Sequence, residues 1–291
     1  CVSGWVNRLG EKPVVDVDTV YQFASVTKIF MSDIILDLIR TKELNLDDKL
    51  VDLLPELHNK IYKDKRVADI EIQHLLSHTA GFDREIHGVK DNIFEPNPWC
   101  PNQVEQLTKI DLQFAPGERM AYSNTGYCLL SRVAEEKYNQ RYRDVVREQY
   151  RLNRFKSFDF IGDAGEIPTI NSAIKPLNED LNYESLASSA GLYGNASALA
   201  NIVYKMEKSN KPHILNRAID TPCDFASARA CHGFMGYEYS TDLRLRFYWR
   251  DGGMNNVSTL LIIDDEGGVM SMLTNTRKRS IDVSELVEII Y

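Results

Sequence analysis

The sequence predicts an α+β (α/β) chain in which an antiparallel β-sheet is flanked by helices and carries an all-helical subdomain beside it. Three observations predict it. Ser25 to Arg40 is a strongly apolar run of helical periodicity. Leu243–Trp249, Val257–Ile263 and Val269–Leu273 are short β-rich runs, and Asp264-Asp265-Glu266-Gly267-Gly268 between the last two reads as a hairpin. Between these ends, roughly 44–175 holds helical patterns and long loops. The two ends therefore build the sheet and the middle builds the helical part, giving one domain over 1–291 made of two intimate subdomains.

Taken in chain order, Cys1-Val2-Ser3-Gly4-Trp5-Val6 looks like a sheet strand, and only 24 residues precede Ser25. An uncovered strand edge is a liability. The expectation is either a truncated or processed start, or a missing N-terminal segment or partner that completes the sheet. Ser25 to Arg40 follows as a central helix with Ser25 at its N-terminal end, where the helix dipole favours developing negative charge. The Pro/Trp-rich run Phe94-Glu95-Pro96-Asn97-Pro98-Trp99-Cys100-Pro101 is a loop long enough to overhang a cleft. Pro116-Gly117 marks a turn. Tyr122-Ser123-Asn124 then forms a polar loop ahead of the apolar-periodic run Tyr127 to Ala134, a place where functional side chains are often presented. Ala196 to Glu207 is a further helix. Trp249-Arg250-Asp251-Gly252-Gly253 closes the first long strand, and its two glycines allow a substrate backbone to approach the strand edge. Ser280 to Tyr291 reads as an amphipathic closing helix.

Composition narrows the function classes. Hydrophobic residues make up 43% of the chain, enough for a substantial core, and no run reaches the ~18 apolar residues of a membrane span. A net charge of −8 and a pI near 5.4 leave no basic stripe for nucleic acid. The 5 cysteines lack metal-ligand spacing. Cys223 and Cys231 are near enough in sequence to pair, although no disulfide framework is implied. His74 and His78 lie at i, i+4 without an evident third ligand, so neither a metal nor another cofactor is expected. Asn195-Ala196-Ser197 and Asn256-Val257-Ser258 match the glycosylation pattern but fall in segments expected close to the cleft, so no glycan is expected on them.

Chemistry concentrates in three places. Ser25 and Lys28 form an S-x-x-K pair on one helix face, where an amine can assist a hydroxyl that is a poor nucleophile unaided. Tyr122 and Asn124 stand on the loop before a helix. Arg250, Asp251, Gly252 and Gly253 end the strand. Each has a plain structural reading: a helix cap with a solvated lysine, turn residues, and a surface ion pair beside a Gly-Gly turn.

In this order the segments Ser25-Val26-Thr27-Lys28, Tyr122-Ser123-Asn124 and Arg250-Asp251-Gly252 resemble the serine β-lactamase and penicillin-binding-protein superfamily, in its class C branch of D,D-carboxypeptidases, D-aminopeptidases and esterases. Leu44 to Asp48, Leu75 to Gly81 and Ser188 to Leu192 carry the same likeness, which runs from about Val20 to about Thr276. The resemblance implies a β-lactamase/transpeptidase-like fold and a serine hydrolase working through an acyl-enzyme on an amide, peptide or ester, with a small-molecule or peptide substrate. Ser25 would be the nucleophile. Lys28 would either have a lowered pKa or hold the proton network. Tyr122 would be base and then acid. Asn124 would bond a substrate amide or the Lys28 amine, and the N–H groups of Ser25 and Gly253 would form the oxyanion hole. It also favours an extracytoplasmic place, periplasmic or secreted.

Arg250 departs from the family's Lys or His; an always-charged guanidinium either balances charge or grips a carboxylate. Asp251 stands where a hydroxyl is usual, and would suit an ammonium or amide better than a substrate carboxylate. A catalytically silent ligand-binding relative is the alternative, although such relatives lose one of Ser25, Lys28 or Tyr122 and all three residue types are present. A Cys1 nucleophile finds no support downstream, and no G-x-S-x-G elbow occurs.

Overall fold

Helix α1 (Lys28–Arg40) is the element around which the rest packs. In the computed structural model the described residues are 1–3, 14–82, 97–155, 157–162, 181–208, 237–239, 246–254, 257–264 and 266–276. Lys28 to Leu36 and Leu38 are all buried, and a helix that is apolar nearly all round belongs in an interior. It ends at Arg40, a cation suited to the C-terminal dipole. The sequence-based helix was expected to start at Ser25; instead Ala24–Thr27 is a 3₁₀ turn and the α-helix begins at Lys28.

The middle of the chain supplies α2 (Leu50–Leu53), α3 (Ile72–Leu76), α4 (Asn124–Tyr138) and α5 (Tyr142–Gln149), with 3₁₀ turns among them. Helix α4 starts after an extended Ser123 and stops at Asn139, which takes the left-handed conformation (φ 49°) that commonly ends helices. Two helices follow, α6 (Tyr183–Ala190) and α7 (Ala196–Glu207), with Asn182 and Asn195 as N-caps. Asn195 accepts from the Ala198 N–H at 2.8 Å, a structural use of that side chain. Helix α1 packs against α4 and α6. Tyr150, just after α5, donates to buried Asp33 of α1 at 2.7 Å. Burial, and then the charge of Asp33, push its phenol well above the usual range, so it remains a donor.

The described residues form two antiparallel sheets. The small one, in order β1-β3-β2, joins β1 (Tyr21–Gln22), β2 (Asp159–Phe160) and β3 (Leu192–Gly194). The larger, in order β4-β5-β6-β7, joins β4 (Tyr237–Tyr239), β5 (Arg246–Met254), β6 (Val257–Asp264) and β7 (Val269–Thr274). Arg250 pairs with Leu261 and Gly252 with Thr259, while Asp251 pairs with Leu260 and Trp249 with Ile262. Strand alternation therefore gives Arg250 and Gly252 one face and Trp249 and Asp251 the other. Leu261 and Ile263 join the main core, whereas Leu260 and Ile262 pack with Trp249, Met270 and Met272 on the opposite face. Burial on both faces explains the continuous apolar run of β6.

The first long strand was expected to close at Trp249, but β5 continues to Met254, so Arg250 to Gly253 lie within the sheet. Among the described residues β4 pairs with β5 from Arg246 to Tyr248, and β5 pairs with β6 from Phe247 to Met254. The disulfide joins Cys100 to Cys128, with Cα atoms 6.2 Å apart, tying the Trp99 loop to α4. Cys223 and Cys231, Asn256, the closing helix from Ser280, and the Gly4 to Val6 part of the strand expected over Cys1 to Val6 fall outside the described residues, while Cys1 to Ser3 are not in a strand.

Candidate active site

The small sheet and α1 place Ser25. The Phe23 N–H donates to Leu192 O at 2.9 Å, and the chain then turns sharply through Ala24, a buried non-glycine residue at φ 47°. A left-handed residue of this kind costs energy that the surrounding packing must supply, and such residues gather at functional sites. The turn leaves Ser25 half-buried at the mouth of α1, while Val26 and Thr27 are buried beside it.

Tyr122 reaches Ser25 from the loop ahead of α4. Its Oη donates to Ser25 Oγ at 2.7 Å. The same atom pair with the donor reversed, Ser25 giving its proton to the phenolic oxygen, is the contact that nucleophilic attack requires. Asn124 Oδ1 lies 3.4 Å from Tyr122 Oη.

Lys28 is buried beneath this pair. Its Nζ donates to Asn124 Oδ1 at 2.6 Å and to Ser189 O at 3.0 Å. Of the two roles open to Asn124, the lysine contact is the one present. Nζ also stands 4.8 Å from the centre of the Tyr122 ring.

Arg250 closes the site from β5. Only 1% exposed, it donates through Nη2 to Tyr122 Oη at 2.8 Å and through Nε to Ser25 O at 3.1 Å, with its guanidinium 5.1 Å from the ring centre. Two cations thus flank the Tyr122 ring, favouring negative charge wherever it develops on the phenol or on Ser25. The guanidinium is directed at protein groups, the contacts that the charge-balancing role calls for.

Gly252 has a use the sequence did not show. A Cβ there would stand 2.6 Å from Phe23 O and 3.0 Å from Ser25 N, so the bare backbone is what lets the strand abut the nucleophile's turn. The close approach that the Gly-Gly pair predicts is made at Gly252 by the protein's own chain. Gly253 is exposed next to it. Asp251 is exposed on the other face of β5 and, among the described residues, makes no hydrogen bond or ion pair. The structure brings Ser25, Lys28, Tyr122, Asn124, Arg250 and Gly252 together and leaves Asp251 turned aside from them.

Two participants escaped assignment from sequence. Ser189 contributes its carbonyl, which no side-chain pattern can reveal. His78 lies with its ring 4.5 Å from that of Tyr122, and the only hint was its place in the Ser77-His78-Thr79-Ala80-Gly81 turn. Its Nδ1 accepts from the Ser123 N–H, and the Nδ1 of His74 accepts from the Glu71 N–H.

Comparison with known proteins places the chain among relatives of one fold. A Dichelobacter nodosus protein named for fimbrial assembly (FimD, serogroup D) is 31% identical over 94% of this chain and 70% of its own length. Penicillin-binding protein 4 of Amycolatopsis lactamdurans is 26% identical over 71% of this chain and 54% of its own. Among solved structures, a D-stereospecific amidohydrolase from Streptomyces sp. superposes with a TM-score of 0.75 at 18% identity, over 93% of this chain and 86% of that one. The D-amino acid amidase of Ochrobactrum anthropi SV3 gives 0.70 at 17% identity, over 99% and 89%. The family model for Beta-lactamase matches residues 3–287, nearly the whole chain and every residue of the cluster around Ser25, so the protein belongs to the β-lactamase family.

Proposed function

We propose that the protein is a serine hydrolase that cleaves an amide, peptide or ester bond through an acyl-enzyme on Ser25. The observation that carries this reading is the 2.7 Å contact between Tyr122 Oη and Ser25 Oγ, set between the cations Lys28 and Arg250. Ser25 Oγ bonds to the carbonyl carbon as its proton passes to Tyr122 Oη, the base of this step. The carbonyl electrons move to oxygen, which the N–H groups of Ser25 and Gly253 hold. Collapse of that intermediate breaks the bond to the leaving nitrogen or oxygen, which takes the proton back from Tyr122 and departs as an amine or alcohol. Water, deprotonated by the same oxygen, then releases the acid and restores Ser25.

The substrate class is an uncharged or amino-bearing acyl compound, with D-amino-acid amides, peptides and esters the first to test. Arg250 is engaged with Tyr122 and Ser25, which leaves it poorly placed to hold a substrate carboxylate. The Cys100–Cys128 disulfide supports an oxidising, extracytoplasmic compartment.

The test is labelling with a fluorophosphonate, followed by peptide mass spectrometry. An adduct on Ser25 is expected, abolished in Ser25→Ala. An adduct elsewhere overturns the assignment, and no adduct favours the silent ligand-binding relative.

A further inference from the structure

We infer that His78 is a positioning residue for Tyr122, holding the phenol against Ser25 by clamping the loop on both sides of it. The inference rests on the hydrolase reading for its effect on turnover, but its geometry stands apart from that reading. The His78 carbonyl accepts from the Ala121 N–H at 2.8 Å, one residue before Tyr122. The His78 Nδ1 accepts from the Ser123 N–H at 3.3 Å, one residue after it. Between these two bonds the imidazole lies 4.5 Å from the Tyr122 ring and 5.1 Å from that of Tyr127. Backbone and side chain of one residue thus fix the peptide units flanking the phenol and one face of its ring.

The turn that carries His78 is itself anchored to the segment leading to Tyr122. The Gly117 N–H donates to Thr79 O at 2.8 Å and the Gln113 N–H to Gly81 O at 2.9 Å. His78 is buried and has φ 60°, a conformation that Asn and Gly tolerate far better than most residues. This is the left-handed position that ends α3, where the Thr79 N–H donates to His74 O at 2.8 Å, and the helix-ending turn is what sets the imidazole beside Tyr122. Accepting at Nδ1 also fixes the neutral tautomer with its proton on Nε2.

The backbone preference makes clean variants available. His78→Gly deletes the ring without backbone strain and keeps the carbonyl bond. His78→Asn places Oδ1 where Nδ1 stood, and His78→Gln places its oxygen near the other ring position. Misplacing a reacting group by about 1 Å can cost ~10²-fold. His78→Gly is therefore expected to lower kcat roughly 10- to 100-fold with KM within about twofold, and His78→Asn to recover most of it while His78→Gln does not. In parallel, ¹³C-labelled tyrosine NMR, with Tyr122 identified by the signal lost in Tyr122→Phe, should show that resonance displaced in His78→Gly and restored in His78→Asn. If the wild type proves inactive yet the resonance follows this pattern, the hydrolase reading fails and the clamp stands. If His78→Gly is folded and leaves both kcat and the resonance unchanged, the clamp is overturned. Should His78→Gly not fold, the Asn and Gln pair decides, and equal behaviour of the two overturns it.

Discussion

At the scale of single residues, the proposed reaction is a contest over one proton between Ser25 and Tyr122, with Lys28 and Arg250 placed to weight the outcome. Tyr122→Phe removes the only atom of that side chain that touches Ser25 Oγ, so kcat should fall at least ~10²-fold while thermal stability changes little. Steady-state kinetics beside a melting curve would check it, and a near-normal kcat would remove the phenol from the chemistry. Arg250 makes a sharper prediction. Nε and Nη2 serve Ser25 O and Tyr122 Oη at once, and a lysine ammonium lacks that planar fork. Arg250→Lys should keep the charge but lose one bond, leaving activity between wild type and Arg250→Gln. If the Lys and Gln variants were equally impaired, geometry would matter more than charge. Equal activity of wild type and Gln would deny Arg250 any part.

At the scale of elements, the decisive contact is between β5 and the Ala24–Thr27 turn. Adding a methyl at Gly252 sets it 2.6 Å from a carbonyl oxygen of the main chain, which cannot swing aside as a side chain can. Gly252→Ala should therefore force strand and turn apart, slowing fluorophosphonate labelling of Ser25 by about 10²-fold, the cost of a misplaced group. Labelling at the wild-type rate would show that the junction yields freely. This contact also marks where the sequence stopped being legible. The periodicity of Ile29 to Leu38 identified the central helix, and Val257 to Ile263 and Val269 to Leu273 located their strands almost to the residue, because burial on a fixed face leaves a pattern. Ser25, Lys28, Tyr122 and Asn124 were legible because their residue types and order match a known chemistry. The 3₁₀ turn at Ser25 was not, since it is imposed by tertiary contact with Leu192 and Gly252 and leaves no periodicity. Nor was the reach of β5 to Met254, where Gly-Gly reads as a turn until a partner strand is in place.

At the scale of the whole molecule, the Tyr122-Asn124 segment is tied into the helical part of the chain at more than one point, and the strongest tie is covalent. Cys128 lies one helical turn beyond Asn124 on α4, and its disulfide to Cys100 closes a loop with a sequence separation of 28. Both residues are buried, within the same apolar cluster as Ile29, Phe30 and Leu129. Cys100 and Cys128 are far apart along the chain and meet only through the fold, while Cys223 and Cys231, near neighbours in sequence, lie outside the described residues. A cross-link over a loop of this size is worth roughly 3–4 kcal/mol in the chain-entropy account. The Cys100→Ser, Cys128→Ser double variant should lose stability of about that size in urea unfolding, with an added cost for hydroxyls placed among apolar side chains. Cys100→Ala, Cys128→Val, which keeps the site apolar, separates the two contributions. Because the bond anchors α4 rather than touching Ser25, the folded fraction of the Ala/Val variant should still label at Ser25 at near the wild-type rate at temperatures well below its melting point. A labelling rate that fell in proportion to nothing but the unfolded fraction would place the disulfide in stability alone. A fall of ten-fold or more in fully folded protein would mean that the cross-link also sets the position of Tyr122, extending the clamp at His78 to the other end of the same loop.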